Sequence, residues 1–256
     1  MNQENFRIIA RLDIKGANLI KSVNLEGLRV IGDPNTHATE YYKDGIDEII
    51  YIDCVASLYG RNQLVDLLKK TVKDVFVPIT AGGGIRSLND AKELLRNGAD
   101  KIAINTAAVD NPDLITKLAR EFGSQCVVSY IEAKKNENAG WEVFVENGRQ
   151  RTYRDVLNWA VECASLGAGE ILLTSIDKEG TSTGFDLELC SKVSSAIEIP
   201  VIASGGMGRV QDLVELKNSS AVSGAAIADV LHYRKLSVEQ IKAEMVKNKI
   251  QVRIYV

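Results

Sequence analysis

Short apolar runs alternate along the chain with longer stretches in which apolar residues recur every three or four positions. The short runs have the length of buried strands, and the longer stretches carry the period of amphipathic helices. The pattern predicts strands near 7–13, 48–53, 77–81, 101–105, 126–132, 170–175, 200–203 and 222–227. Helices are predicted between them over 35–44, 61–74, 87–97, 111–121, 153–166, 186–196, 209–217 and 237–248. Asn111-Pro112 and Ser87-Leu88-Asn89-Asp90 read as helix starts, where an Asx or Ser side chain caps free N–H groups. Gly98, Gly123 and Gly167 read as helix stops. Eight strands alternating with eight helices predict an α/β fold, a (β/α)8 TIM barrel.

An internal repeat supports closure of that barrel. Gly45-Ile46-Asp47-Glu48 opens an apolar run that ends at Asp53, and Gly167-Ala168-Gly169-Glu170 opens another that ends at Ser175. Pro78-Ile79-Thr80-Ala81-Gly82-Gly83-Gly84 returns as Pro200-Val201-Ile202-Ala203-Ser204-Gly205-Gly206, and Arg7–Asp13 returns as Cys126–Glu132. Two half-barrel repeats facing each other bring Asp13 opposite Glu132 and one glycine loop opposite the other. The main interruption follows the fifth strand, at about 134–152. There Trp141–Glu146, the pair Asn147-Gly148 and Arg149–Thr152 predict a β-hairpin with a type I′ turn that could cover a ligand. No linker or second domain is visible, so residues 1–256 read as one domain.

Composition narrows the chemistry. The 256 residues are 45% apolar and 25% charged, which suits a globule with a full core. The net charge of −3 gives no reason to expect nucleic acid as a partner. No apolar run reaches the roughly 18–20 residues of a membrane span. Met1–Asn5 lacks the basic and apolar regions of a signal peptide, so a cytoplasmic location is expected. Cys54, Cys126, Cys163 and Cys190 are widely spaced and read as buried thiols, with neither a metal nor a redox cofactor implied. With only His37 and His232 present, acid–base work falls to carboxylates.

In a barrel of this kind, loops after the strands build the active face, and helix N-termini there attract anions. Gly83 and Gly84 after strand three, with Asn105 and Thr106 after strand four, make one candidate phosphate cradle. Gly180 and Thr181 after strand six, with Ser204, Gly205 and Gly206 after strand seven, make a second on the opposite side. The pair suggests an elongated substrate with a phosphate at each end.

Arg7-Ile8-Ile9-Ala10-Arg11-Leu12-Asp13, Ala81-Gly82-Gly83-Gly84-Ile85, Ala99–Ala108 and Gly169–Asp177 resemble the cyclase subunit of imidazole glycerol phosphate synthase, and the likeness covers essentially the whole chain. The resemblance implies a glutaminase partner on the N-terminal face of the barrel. Its ammonia would cross the barrel and react with a bisphosphorylated ribulosyl-formimino-aminoimidazole carboxamide nucleotide. The implied products are imidazole glycerol phosphate and an aminoimidazole carboxamide ribonucleotide. By the same resemblance Asp13 and Glu132 are the catalytic acid–base pair. Arg7, Glu48, Lys101 and Glu170 form a ring of alternating charge that gates ammonia. Arg11, Lys21, Asp53, Tyr130, Thr174 and Asp177 surround the site.

Four positions depart from the family pattern. Glu132 stands where an aspartate is usual, and a misplacement of about 1 Å can cost about a hundredfold in rate. Strand alternation turns Arg11 and Tyr130 inward, where small uncharged residues are usual. A compensated packing would pair Arg11 with Glu132 or Asp53. Asp229 is an anion beside the second phosphate cradle. In addition, Ser57-Leu58-Tyr59-Gly60-Arg61-Asn62 looks like a subset associated with surface-polysaccharide synthesis. Members of that subset are thought to pass ammonia to a sugar amidotransferase, and a non-catalytic ammonia conduit is a third reading.

Overall fold

The computed structural model describes residues 5–56, 64–137 and 139–254. The Ser57–Asn62 segment, singled out by its sequence, lies outside them. Among the described residues, twelve strands form one sheet. They are β1 (Arg7–Lys15), β2 (Asn18–Val23), β3 (Glu26–Gly32), β4 (Glu48–Asp53), β5 (Ile79–Gly82), β6 (Lys101–Ile104), β7 (Val127–Lys135), β8 (Trp141–Val145), β9 (Gln150–Asp155), β10 (Glu170–Ser175), β11 (Val201–Ser204) and β12 (Gly224–Ile227). Eight of them pair in parallel in the order β10-β11-β12-β1-β4-β5-β6-β7, and β7 pairs back with β10, closing the barrel. The closing register sets Glu132 beside Thr174.

Parallel strands are buried on both faces, which explains their nearly unbroken apolar runs. Outward residues Ile8, Ala10 and Leu12 of β1 pack in the layer under the helices. Inward residues Ile9, Ile50, Val128, Leu172 and Ile202 form a separate apolar cluster inside the barrel. The eight predicted strands are all present, within two residues at most boundaries. Helix predictions hold at Pro34–Lys43, Leu88–Arg96, Asp113–Phe122, Val156–Ser165, Leu187–Ala196, Val210–Ser219 and Val238–Lys247. Of the predicted span 61–74, Leu64–Thr71 is helical among the described residues.

Ser87 caps its helix as expected, its Oγ accepting from the Asp90 N–H at 3.2 Å. Asn111 does not cap the next helix. It ends an unforeseen short helix, Thr106–Asp110, and Pro112 takes the cap position without a side-chain bond. Cys54, Cys163 and Cys190 are buried, but Cys126 is only half-buried because it ends a single 3-10 turn at the rim.

Two hairpins stand on the C-terminal face. The β2–β3 hairpin was not predicted: its antiparallel ladder continues β1, with Asp13 opposite Ile20. The β8–β9 hairpin was predicted, but its turn differs. Glu146, Asn147 and Gly148 all have positive φ, and the Arg149 N–H donates to the Val145 carbonyl at 3.1 Å. The connection therefore has four residues rather than a two-residue type I′ turn. This longer loop turns the Gly148 N–H inward, onto Glu132. Leu25, Phe144 and Ile176 form a small apolar cluster between the hairpins, and the Asn147 side chain donates to the Leu25 carbonyl.

Ile115 is fully buried between its helix and the barrel. Ile115→Ala is expected to lower unfolding free energy by about 2–5 kcal/mol, measured by urea denaturation.

Candidate active site

The site lies along the barrel axis and is built in layers by strand alternation. At the N-terminal end, Arg7 bridges Glu48 at 2.8 Å and Glu170 at 2.5 Å. Lys101 bridges the same two carboxylates at 3.2 and 2.9 Å. The four side chains therefore close a ring of alternating charge, as the resemblance implied. Such a ring is tolerable only because every charge has two opposite neighbours.

Above the ring and the apolar lumen lies Arg11, 1% exposed. Its Nε donates to Asp13 Oδ1 at 2.8 Å, and its terminal nitrogens donate to Thr174 Oγ1 at 2.7 Å, Tyr130 Oη at 3.0 Å and Ser204 Oγ at 3.1 Å. One guanidinium thus ties together β1, β7, β10 and β11 across the barrel. The expected pairing of Arg11 with Glu132 or Asp53 is not what forms. Asp13 lies two residues away on the same strand face, within direct reach of the fork, whereas Asp53 Oδ1 is taken by the N–H groups of Val55 and Ala56.

Glu132 is 2% exposed, and its Oε2 accepts the Gly148 N–H at 2.7 Å. Burial pushes its carboxyl up to about 7, against the opposing pull of the Gly148 and Tyr130 hydrogen bonds and of Arg11. Burial also raises the Asp53 carboxyl. Glu132 and Tyr130 line a cavity of about 370 Å³ whose other walls include Asp53, Cys54, Gly83, Gly84, Asn105, Thr106 and Asn147. Asp13 is not among the residues that line this cavity.

The first candidate cradle therefore opens into a cavity beside Glu132. Gly83 has φ +105, and a Cβ there would stand 2.3 Å from the Asp53 carbonyl, so only glycine fits. Asn105 heads the helix Thr106–Asp110, and its buried Oδ1 has no hydrogen-bond partner. The second cradle is more crowded. Gly206, at φ +108, packs against the Gly184 carbonyl, and Ser204 is held by Arg11. Gly180 abuts Ser22 of the β2–β3 hairpin, and Thr181 Oγ1 donates to the Lys178 carbonyl at 2.8 Å. Lys21 is buried against Glu179 beside this cradle. Asp229 pairs with Lys235 at 2.6 Å and accepts from Ser182, the neighbour of Thr181, at 3.2 Å. Asp177 Oδ2 accepts the Lys135 N–H at 2.8 Å, a strap between strand ends rather than a contact to the cavity.

Sequence reasoning missed Glu179, Cys54 and Gly148. Glu179 directly precedes the Gly180 cradle, a cue that an acidic residue there would face the same mouth. Cys54 follows Asp53 at a strand end. Gly148 contributes only its N–H, which no side-chain pattern reveals. Among the described residues no group of three or more His, Cys, Asp or Glu side chains is arranged to hold a metal ion. Among the described residues, no helix is long and apolar enough to cross a membrane.

Residues 7–237 match the family model described as histidine biosynthesis protein. The chain belongs to this family. It is 64% identical over 208 residues to the imidazole glycerol phosphate synthase subunit HisF of Legionella pneumophila, covering 81% of this chain and 98% of that protein. It is 47% identical over 251 residues to the protein of the same name from Prochlorococcus marinus (strain MIT 9312), covering 97% and 98%. For the one from Lactococcus lactis subsp. cremoris (strain SK11), identity is 46% over 249 residues, covering 97% and 96%. Of the segments that carried the resemblance, Ala81–Ile85 and Ala99–Ala108 contribute residues to the cavity wall, whereas Arg7–Asp13 and Gly169–Asp177 contribute none.

Glu132 also links pH to stability. Its folded-state value of about 7 lies above the ordinary 4.5. Between those values the folded chain holds a proton that the unfolded chain has lost, so stability falls as pH rises through that window. The loss amounts to about 3 kcal/mol. Glu132→Gln is expected to flatten this decline and to be more stable than wild type above pH 7, measured by urea denaturation across pH.

Proposed function

We propose that the chain is the cyclase subunit of a glutamine-dependent imidazole glycerol phosphate synthase. In this reading it acts in the cytoplasm as one barrel domain over residues 1–256, in a heterodimer with a HisH-like glutaminase. The observation that carries the proposal is the Glu132 carboxyl, raised to about 7, in the wall of a cavity that also holds Gly83-Gly84 and Asn105-Thr106. A carboxyl near neutrality can both give and take a proton at working pH.

The bisphosphate substrate lies across the mouth. One phosphate rests on Gly83, Gly84, Asn105 and Thr106, and the other on Gly180, Thr181, Ser204, Gly205 and Gly206. Lys21 supplies a cation at the second cradle once its pairing with Glu179 opens. Ammonia enters through the ring of Arg7, Glu48, Lys101 and Glu170, where a neutral molecule has an advantage over an ion. It attacks the substrate ketone. A proton from the acid–base pair, Glu132 and Asp13, lets the oxygen leave as water and an imine form. The same pair moves protons during ring closure and cleavage of the C–N bond. Arg11, Tyr130 and Thr174 hold this pair in place, and Asp53 and Asp177 brace the strand ends around it.

The relatives' shared name favours this reading over transfer of ammonia to a sugar amidotransferase in polysaccharide synthesis, or over a conduit without chemistry. Cyclase turnover is expected with the bisphosphate substrate and free ammonia. Absence of turnover in wild type, with no recovery on Glu132→Asp, would sink the proposal. Crystals soaked in phosphate are expected to hold one anion near Gly84 and another near Gly205.

A further inference from the structure

Arg11 crosses the barrel. In the strand order β7 lies four steps from β1 in either direction, so the two strands face each other across the axis. The guanidinium, rooted on β1, nevertheless reaches Tyr130 on β7, where a terminal nitrogen donates to Oη at 3.0 Å. Its bonds to Thr174 and Ser204, at 2.7 and 3.1 Å, fill the side toward β10 and β11. All four side chains are buried. Hydrogen-bonded atoms at such distances leave no gap for an ammonia molecule between them. This bar lies where the lumen gives way to the cavity. Ile9, Ile50, Val128, Leu172 and Ile202 form the apolar lumen and do not touch the cavity. Ile52, Cys54, Ala103 and Tyr130 belong both to that apolar cluster and to the cavity wall, and Tyr130 is the largest of them. The two ends of the bar are held unequally. Arg11 has partners on β1, β10 and β11 besides Tyr130. Tyr130 is held only at its hydroxyl, by Arg11 and Glu132, so the phenol can shift while Arg11 stays in place.

We propose that Tyr130 is an upper gate: latched to Arg11 across the barrel, it seals the apolar lumen from the mouth and retains ammonia below until substrate is in place. The ring of Arg7, Glu48, Lys101 and Glu170 closes the lumen at the floor, and the bar closes it at the top. Between them an apolar lumen favours the neutral molecule over ammonium. The proposal rests on the cyclase reading only for what crosses the gate. The seal itself is steric and is measurable without turnover.

The test uses the full chain carrying Val128→Cys. Val128 precedes Tyr130 by two residues on the same strand face, so the new thiol lies in the lumen beneath the bar. Its modification by methyl methanethiosulfonate, a small uncharged reagent, is followed by peptide mass. Slow modification is expected with Tyr130 intact. Tyr130→Phe, which keeps the ring and loses the latch, is expected to raise the rate about fivefold, the worth of one hydrogen bond. Tyr130→Ala is expected to raise it further, and if that variant does not fold, Tyr130→Phe carries the test. Phe144→Ala removes a ring of similar size that does not line the cavity, and is expected to leave the rate unchanged. Equal rates with and without Tyr130, or an equal rise in Phe144→Ala, would overturn the proposal. A second measurement pairs the chain with its glutaminase. Glutamine-supported turnover of Tyr130→Phe is expected to fall about fivefold more than turnover on free ammonia, because retention is lost. Misplacement of Glu132 alone would lower both alike, so an unchanged or raised ratio would also overturn the gate. Wild type that shows the expected thiol rates yet no turnover from either nitrogen source would instead overturn the cyclase reading and leave the seal standing.

Discussion

Closure of the barrel between β7 and β10 is the contact on which the rest of the structure depends. That register places Thr174 beside Glu132 and closes the interior. Strand alternation then leaves no choice about what points inward from β1: Arg7, Ile9, Arg11 and Asp13 all face the axis. A charge in such a place must find partners among the other strands, because an isolated buried ion costs several kcal/mol. Arg7 finds Glu48 and Glu170. Arg11 finds Asp13, Thr174, Tyr130 and Ser204. The floor and the mouth of the barrel are two answers to the same demand.

Those answers create different chemistry at the two levels. At the floor, two cations and two anions alternate, so every charge is matched. At the mouth, one cation faces two carboxylates, and it binds only one of them closely. The other, Glu132, keeps a backbone N–H and the Tyr130 hydroxyl as its partners, and burial drives it toward neutrality. A carboxyl near neutrality thus arises from an imbalance of charge at a buried position. The hairpin loop completes the site by turning the Gly148 N–H onto Glu132, which couples the site to an element outside the barrel proper.

Much of the fold was legible. Buried parallel strands read as continuous apolar runs, and the halves repeat closely enough for Asp13 and Glu132 to be matched by sequence alone. The charge ring and both glycine loops lie where their strand positions put them. The β2–β3 hairpin was not legible. Leu19–Ser22 are buried while most of β3 is at least partly exposed, so neither strand shows a clean alternation. The helices Thr106–Asp110 and Asp229–His232 are too short to carry a period. The partner of Arg11 was misread because strand position tells which residues share the interior, not which of several carboxylates has spare acceptors. Asp53 had already spent one oxygen on two backbone N–H groups.

The sequence by itself determined the barrel, its half-repeat, and the inward face of every strand that bears a functional group. These follow from local properties: apolar period, glycine position and the alternation of side chains along a strand. Only the tertiary structure decided that Asp13 lies under Arg11 while Glu132 opens on a cavity. It likewise decided that Lys21 is held by Glu179 at the second cradle. Both outcomes depend on competition among groups from distant strands for a limited number of hydrogen-bond partners, and that competition exists only once closure has brought them within reach.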